Sequence, residues 1–139
     1  QIPVYCLGAA PGVAQRAIDN LSAEVGPLNI VGIHDGFFDS IEEQKIIKAI
    51  GDSKTKLVFV ALGVPKQEQW ISENLSHLDG VVAIGIGGSF DVLAGNIPRA
   101  PHWMQQNRLE WLYRLYLEPK RIGRMLAIPK FMWTVIRNK

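Results

Sequence analysis

Four apolar runs of this sequence each end in a glycine-bearing turn: Gly8-Ala-Ala-Pro-Gly12, His34-Asp35-Gly36, Gly63-Val-Pro65 and Gly85-Ile-Gly87-Gly88. Glycine lets backbone approach a ligand closely, and a helix that follows such a turn offers free N–H groups to an anion. Two of the turns continue into residues able to do more. In GVPKQEQW, Lys66, Gln67 and Glu68 fall in the first turn of a helix, where Gln67 can donate to a substrate hydroxyl or a phosphate oxygen. A plainer account is equally open: Glu68 favours the helix dipole, Lys66 is solvated, and Trp70 and Ile71 pack on a sheet. In GGSFDVLAG, Gly88 precedes Asp91 and Gly95 follows it. Asp91 can bind a ribose or sugar hydroxyl or serve the start of a short helix, and the approachable backbone on both sides favours binding.

A second constellation lies near the C-terminus. Leu109, Leu112, Tyr113 and Tyr116 follow helical spacing and form an apolar stripe, with Glu110, Arg114 and Glu118 on one flank. Pro119 kinks this helix or opens a new one. If the axis roughly continues, Arg114, Arg121 and Arg124 face one way, and three forked donors suit a diphosphate. Beyond Pro129, Phe131, Met132, Trp133, Val135 and Ile136 mix with Lys130, Arg137 and Lys139, a composition suited to a lipid headgroup layer. The alternative is a C-terminal helix packed on the sheet with a basic outer face.

Other chemistries are poorly signalled. Neither GAAPG nor GIGGSF is the dinucleotide fingerprint G-x-G-x-x-G, although Asp35 stands after the second apolar run, where a ribose-binding acid sits in dinucleotide folds. No GK[ST] and no D-x-D pair occurs, and His34, His77 and His102 are not at metal-ligand spacing. No metal and no cofactor is therefore expected.

The elements that must position these residues alternate in kind. IPVYCLG reads as a strand and Gly12 to Val25 as a helix, with Val13, Ala17, Leu21 and Val25 on one face. LNIVGI is a strand, and a helix follows, capped by Asp39 or Ser40 with Glu42 and Glu43 in its first turn. KLVFVAL is a third strand, and Pro65 suits the first position of the helix PKQEQWISENL. VVAIGI is a fourth. Continuous apolar strands alternating with helices imply an α/β fold, a Rossmann-like parallel sheet with helices on both faces. All four turns then lie at the carboxyl edge of the sheet, where such folds bind ligands.

Composition bounds the reading. The 139 residues make one globular body with a core, not a disordered chain. The net charge of +2 hides an asymmetry. Residues 1–97 hold six Lys or Arg against eleven Asp or Glu, whereas residues 98–139 hold nine against two. The first segment reads as a Rossmann-like body with a nucleotide-type crevice and the second as a basic amphipathic helical appendage that seeks a phosphate-rich or anionic-membrane partner. Nucleic acid fits the charge alone and is not expected as a partner. Cys6, the one cysteine, sits in an apolar run and reads as a buried, inert thiol. No run reaches the roughly 18 apolar residues of a membrane span. A cytoplasmic protein with peripheral membrane contact is expected. Four strands are few for a doubly wound domain, so the chain reads as the C-terminal part of something longer.

GVPKQEQWI, GIGGSFDVLAG, RAPHWMQ and LEWLYRLYLEPKRIGRML, in this order, resemble the bacterial WecG/TagA/CpsF glycosyltransferase family from about Val4 to Met125. Within it the likeness is to the N-acetylmannosaminyltransferases of wall teichoic acid linkage-unit synthesis. The resemblance implies an inverting enzyme with a Rossmann-like domain and a C-terminal appendage. It implies transfer from a UDP donor, UDP-N-acetylmannosamine, to undecaprenyl-diphosphate-linked N-acetylglucosamine at the inner membrane face. It implies further that Arg114, Arg121 and Arg124 meet the charge on departing UDP, folding over the pocket when the tail reaches the membrane. Gln67 would contact the reacting sugars, Asp91 the uridine, and Phe37 would stack on uracil. With Lys66, Gly85, Gly87 and Gly88 these complete the candidate site. The family carries a long further segment ahead of these residues, which holds the aspartate proposed as base. Asp35 and Asp91 could be nominated here, but the family pattern supports neither. A uronic acid or glucose-type donor, a non-catalytic membrane module and a dinucleotide-dependent oxidoreductase are the competing readings. An undocked tail would also favour a homo-oligomer that dissociates at the membrane.

Overall fold

The structure, a computed structural model, describes residues 1–98, 100–117, 119, 133 and 137, with the backbone alone at Trp111 and Arg114. Two compact units are present, Gln1–Pro98 and Arg99–Lys139. In the first, β1 (Val4–Gly8), α1 (Val13–Val25), β2 (Ile30–His34), α2 (Ser40–Asp52), β3 (Leu57–Ala61), α3 (Lys66–Asn74), β4 (Val82–Gly85) and α4 (Ser89–Leu93) follow in strict alternation. The four strands form one parallel sheet in the order β2-β1-β3-β4. The chain moves outward from β1 to β2, returns past it to β3, and then goes on to β4. The direction of winding therefore reverses between β1 and β3.

Two apolar clusters hold the layers together. On one face Tyr5, Leu7, Val58 and Val60 pack with Ile46 and Ile50 of α2 and Trp70 of α3. On the other, Cys6 and Ala61 pack with Val13, Ala14, Ala17 and Ile18 of α1 and Phe90 of α4. Alternate residues of β1 thus serve opposite faces, as the period of two requires. Tyr5 reaches across β2 because its register partner is Gly32, where a Cβ would stand 2.3 Å from the ring.

Local signals account for the helix boundaries. Asp39 caps α2, its Oδ1 accepting from the N–H groups of Ile41 at 2.9 Å and Glu42 at 2.8 Å. Helix α1 begins at Val13, one residue later than the sequence suggests, because Gly12 takes a left-handed φ of 75° at the cap. Pro65 likewise stands at the cap of α3, whose first helical residue is Lys66. The apolar stripe of α1 ends early: its buried residues are Val13, Ala14, Ala17 and Ile18, and Val25 is exposed. Coverage of the sheet is also incomplete at its edge, where Val82 and Ile84 of β4 are exposed.

The expectation for Cys6 holds. It is fully buried as a free thiol, and burial pushes its pKa up from 9.0 to about 11. The thiolate, the reactive form, should be about a hundredfold scarcer than in a solvated cysteine. Alkylation at pH 8 is therefore expected to be slow in the native protein and rapid in denaturant, followed by mass spectrometry. Stability should fall as pH rises from 9.0 towards about 11, because the unfolded chain releases this proton first. Equal labelling rates in both states would mean that the thiol is open to solvent.

The second unit contains α5 (His102–Gln106) and α6 (Glu110–Leu117). Their connection is tight: Arg108 takes a left-handed φ of 57°, and the Leu109 N–H donates back to the Met104 carbonyl at 2.8 Å. Leu109 precedes α6, and its carbonyl accepts from Leu112 and Tyr113 at the start of the helix. Of the apolar stripe read from the sequence, Leu112 and Tyr116 are exposed. Arg121 and Arg124 lie outside the described residues, as does the side chain of Arg114.

Candidate active site

Parallel strands bring the four glycine turns to one edge, and hydrogen bonds between turns then shape it. Gly8 has a φ of 122° and lies so close to β3 that a Cβ there would stand 2.5 Å from the Ala61 carbonyl carbon. Beyond it Ala9 is left-handed, with φ 62°. Its N–H donates to the Ala61 carbonyl at 2.9 Å, and its carbonyl accepts from the Gly36 N–H at 2.8 Å. The Asp35 Oδ1 accepts from the Phe37 N–H at 2.9 Å, which turns the chain outward after β2. The ends of β1, β2 and β3 are thereby stitched into a single concave wall.

Above this wall lies an open cleft of about 510 Å³, lined among others by Ala9, Gly36, Phe37, Leu62, Lys66 and Trp70. It opens where the winding reverses between β1 and β3, the position at which open α/β sheets take their ligands. Its size lies within the range of small-molecule sites. One side is a single face of α3: Lys66, Gln69, Trp70 and Glu73 recur at helical spacing and all line it. Glu43 of α2 closes the far end, and Asn74 ties α2 to α3 by donating to Glu43 Oε1 at 3.3 Å and to the Trp70 carbonyl at 3.0 Å. Trp70 is 4% exposed, and its indole Nε1–H has no hydrogen-bond partner among the described residues. A buried donor left in that state costs about 1–3 kcal/mol.

The candidate residues of the first unit fall into three groups, the last being Gly88 and Asp91. Phe37 and Lys66 line the cleft together, and Phe37 is 73% exposed, its ring available for stacking. Gln67, Gly85 and Gly87 form the second group, at the end of β4. Gln67 is 5% exposed, its Oε1 accepts from the Gly87 N–H at 2.9 Å, and its Nε2 donates to Glu68 Oε1 at 2.8 Å. Gly88 caps α4 ahead of Asp91. The Asp91 Oδ1 accepts from Asn96 Nδ2 at 3.4 Å, and its carbonyl accepts from the Asn96 and Ile97 N–H groups. Asp91 is the acid in the first turn of α4.

Glu43, Gln69, Trp70 and Glu73 line the cleft without having been singled out as ligand residues. The spacing of the last three with Lys66 was readable as one helix face, but not that this face borders a cleft rather than the sheet alone. His34 stands nearby, 3.5 Å from Glu42 Oε1 and edge-on to Phe38. Among the described residues no three His, Cys, Asp or Glu side chains gather at metal-binding distance.

Residues 1–139 match the model of the Glycosyl transferase WecG/TagA/CpsF family. The chain belongs to this family. A member from Bacillus subtilis (strain 168), named N-acetylglucosaminyldiphosphoundecaprenol N-acetyl-beta-D-mannosaminyltransferase, is 42% identical over 137 residues, covering 98% of this chain and 52% of the relative. Relatives of the same name from Bacillus spizizenii and Staphylococcus aureus (strain NCTC 8325) are 38% and 35% identical over 136 residues. The chain thus spans about half the length of the curated relatives it matches. For a WecG/TagA/CpsF member the charge balance of the cleft is informative. Lys66 shares the cleft lining with Glu43 and Glu73, so this wall carries no surplus of positive charge.

Proposed function

We propose that the chain serves an inverting transfer of N-acetylmannosamine from UDP-N-acetylmannosamine to undecaprenyl-diphosphate-linked N-acetylglucosamine, in synthesis of the wall teichoic acid linkage unit. The observation that carries this reading is the cleft at the β1–β3 reversal, with an exposed aromatic ring at Phe37 and a cation at Lys66. A uracil ring stacks on the first, and the second meets a phosphate oxygen. Gly36 and Ala9 bring backbone close enough for a ribose to lie against the wall.

In the transfer, the acceptor hydroxyl oxygen attacks the anomeric carbon while the bond from that carbon to the UDP oxygen breaks. UDP leaves with an added negative charge, and the hydroxyl proton passes to a base. Asp35 and Asp91 hold loop backbone and Asn96, respectively. The base is assigned to the part of the longer relatives that this chain does not match. Positive charge for the diphosphate is assigned to Arg114, Arg121 and Arg124, because residues 98–139 hold nine Lys or Arg against two Asp or Glu, whereas acids outnumber cations in the body. No metal enters this scheme.

The exposed Leu112, Tyr116 and Trp133, in a segment rich in Lys and Arg, support peripheral contact with an anionic membrane. Among the described residues no helix is long and apolar enough to cross one. Apolar exposure of this kind also supports self-association away from the membrane.

The test is release of UDP from UDP-N-acetylmannosamine with a short-chain lipid-diphosphate N-acetylglucosamine acceptor. This chain is run beside a version extended to the length of the relatives. Acceptor-dependent release by the extended version alone is the expected result. Release by both would place the base here, at Asp35 or Asp91. Release by neither would defeat this donor, and a uronic acid or glucose-type UDP-sugar would be tried next.

A further inference from the structure

We infer that Gln67 and Glu68 form a latch that holds the Gly85–Gly88 turn in shape, so that Gln67 serves the reaction by positioning this turn and not by touching a sugar. The inference rests on the donor-binding reading above. Three observations carry it. First, the amide of Gln67 is committed inside the protein at both ends: Oε1 accepts from the Gly87 N–H at 2.9 Å and Nε2 donates to Glu68 Oε1 at 2.8 Å. With 5% of the residue exposed, little of it remains for a ligand. Second, Gly85 is shaped to this amide. A Cβ at Gly85 would stand 2.6 Å from Nε2 and 3.0 Å from Cδ of Gln67, so any other residue there would displace the side chain.

Third, the turn is fastened on either side of Gly87 by other bonds. The Ile86 N–H donates to the Val60 carbonyl at 2.9 Å, and the Ser89 hydroxyl donates to the Ile86 carbonyl at 2.6 Å. Gly87 itself takes a left-handed φ of 53°, and Gln67 holds the N–H of this residue. The latch thus joins the first turn of α3, which carries Lys66 on the cleft, to the cap of α4, which carries Asp91. Residues 20 apart in sequence become one unit, and the Q-E order has a physical meaning. Position 67 must accept from a backbone N–H and donate to position 68 at once, which an amide beside a carboxylate does.

The roles of the two side chains can be exchanged. In the double variant Q67E/E68Q the carboxylate at 67 still accepts from Gly87 and takes its second bond from the amide at 68. Gln67→Met keeps the length of the side chain and abolishes both bonds. Amide hydrogen exchange at Gly87 and the affinity for UDP would be measured on the full chain. The expected result for Gln67→Met is loss of Gly87 protection by about tenfold or more, with UDP binding weakened about tenfold. The double variant should bring both within about threefold of the unsubstituted chain.

A double variant that restores Gly87 protection but leaves UDP affinity as low as in Gln67→Met would overturn the positioning role in favour of direct contact. Unchanged Gly87 exchange in Gln67→Met would show that there is no latch. If the unsubstituted chain binds no UDP, it is the donor reading that fails, and the positioning role with it, while Gly87 exchange still decides the latch.

Discussion

Gly8→Ala is expected to lower the thermal midpoint of this protein by roughly 10 °C, the equivalent of about 3 kcal/mol for a chain of this size. Two costs combine. Gly8 has a φ of 122°, outside the range that residues with a Cβ adopt readily, and such strain costs about 1–3 kcal/mol. The added methyl would also stand 2.5 Å from the carbonyl carbon and oxygen of Ala61 and 2.8 Å from its Cα. These are backbone atoms of the neighbouring strand, held in register by the pairing of Gly8 with Ala61, so they cannot rotate aside as a side chain would. Relief requires β1 and β3 to part at their carboxyl ends, where the Ala9 N–H meets the Ala61 carbonyl. The substitution should therefore open the wall of the cleft as well as destabilise the sheet. Gly26→Ala is the control, because Gly26 also has a positive φ, 94°, but nothing lies within 4 Å of its Cβ position. If Gly8→Ala melts no lower than Gly26→Ala by calorimetry, the close approach of the strands is not what demands glycine.

Phe90→Ala carries the second large effect, a loss of about 3–5 kcal/mol. Phe90 is 2% exposed and sits among Cys6, Val13, Ala14, Ala17, Ile18 and Ala61. Helix α4 is five residues long, too short to persist on backbone hydrogen bonds alone. Burial of this ring beneath α1 holds it, aided by Asn20 Nδ2, which donates to the Leu93 carbonyl at 2.8 Å. Without the ring, α4 should open before the sheet does, and Asp91 and Asn96 would go with it. Denaturant midpoints measure the stability loss, and exchange at the Ala94 N–H, bonded to the Phe90 carbonyl at 2.8 Å, reports the local opening. Phe90→Leu, which keeps most of the volume, should lose only about 1 kcal/mol. A loss below that in Phe90→Ala would mean that α4 is held by something other than its ring.

Both substitutions act where the chain brings distant segments together, and such places were the hardest to read in advance. Alternation of strands and helices, the Asp39 cap and the burial of Cys6 are local properties. They follow from side-chain period, from a short acidic side chain before a helix, and from an apolar run, so the sequence by itself determined them. It also determined that the four glycine turns would share an edge, because parallel strands joined by helices leave no other arrangement. The order β2-β1-β3-β4 was not legible, since several orders satisfy the same alternation. Which of them forms depends on how α1 can cover one face while α2 and α3 cover the other. That choice puts the reversal between β1 and β3, and hence the cleft between Phe37 and Lys66. Gln67 shows the same limit at the scale of one side chain. Its position in a helix turn at the ligand edge was readable, but its partner is Gly87, on a different loop. A hydrogen bond between residues so far apart exists only once the sheet has set their distance, and no local pattern in the chain encodes it.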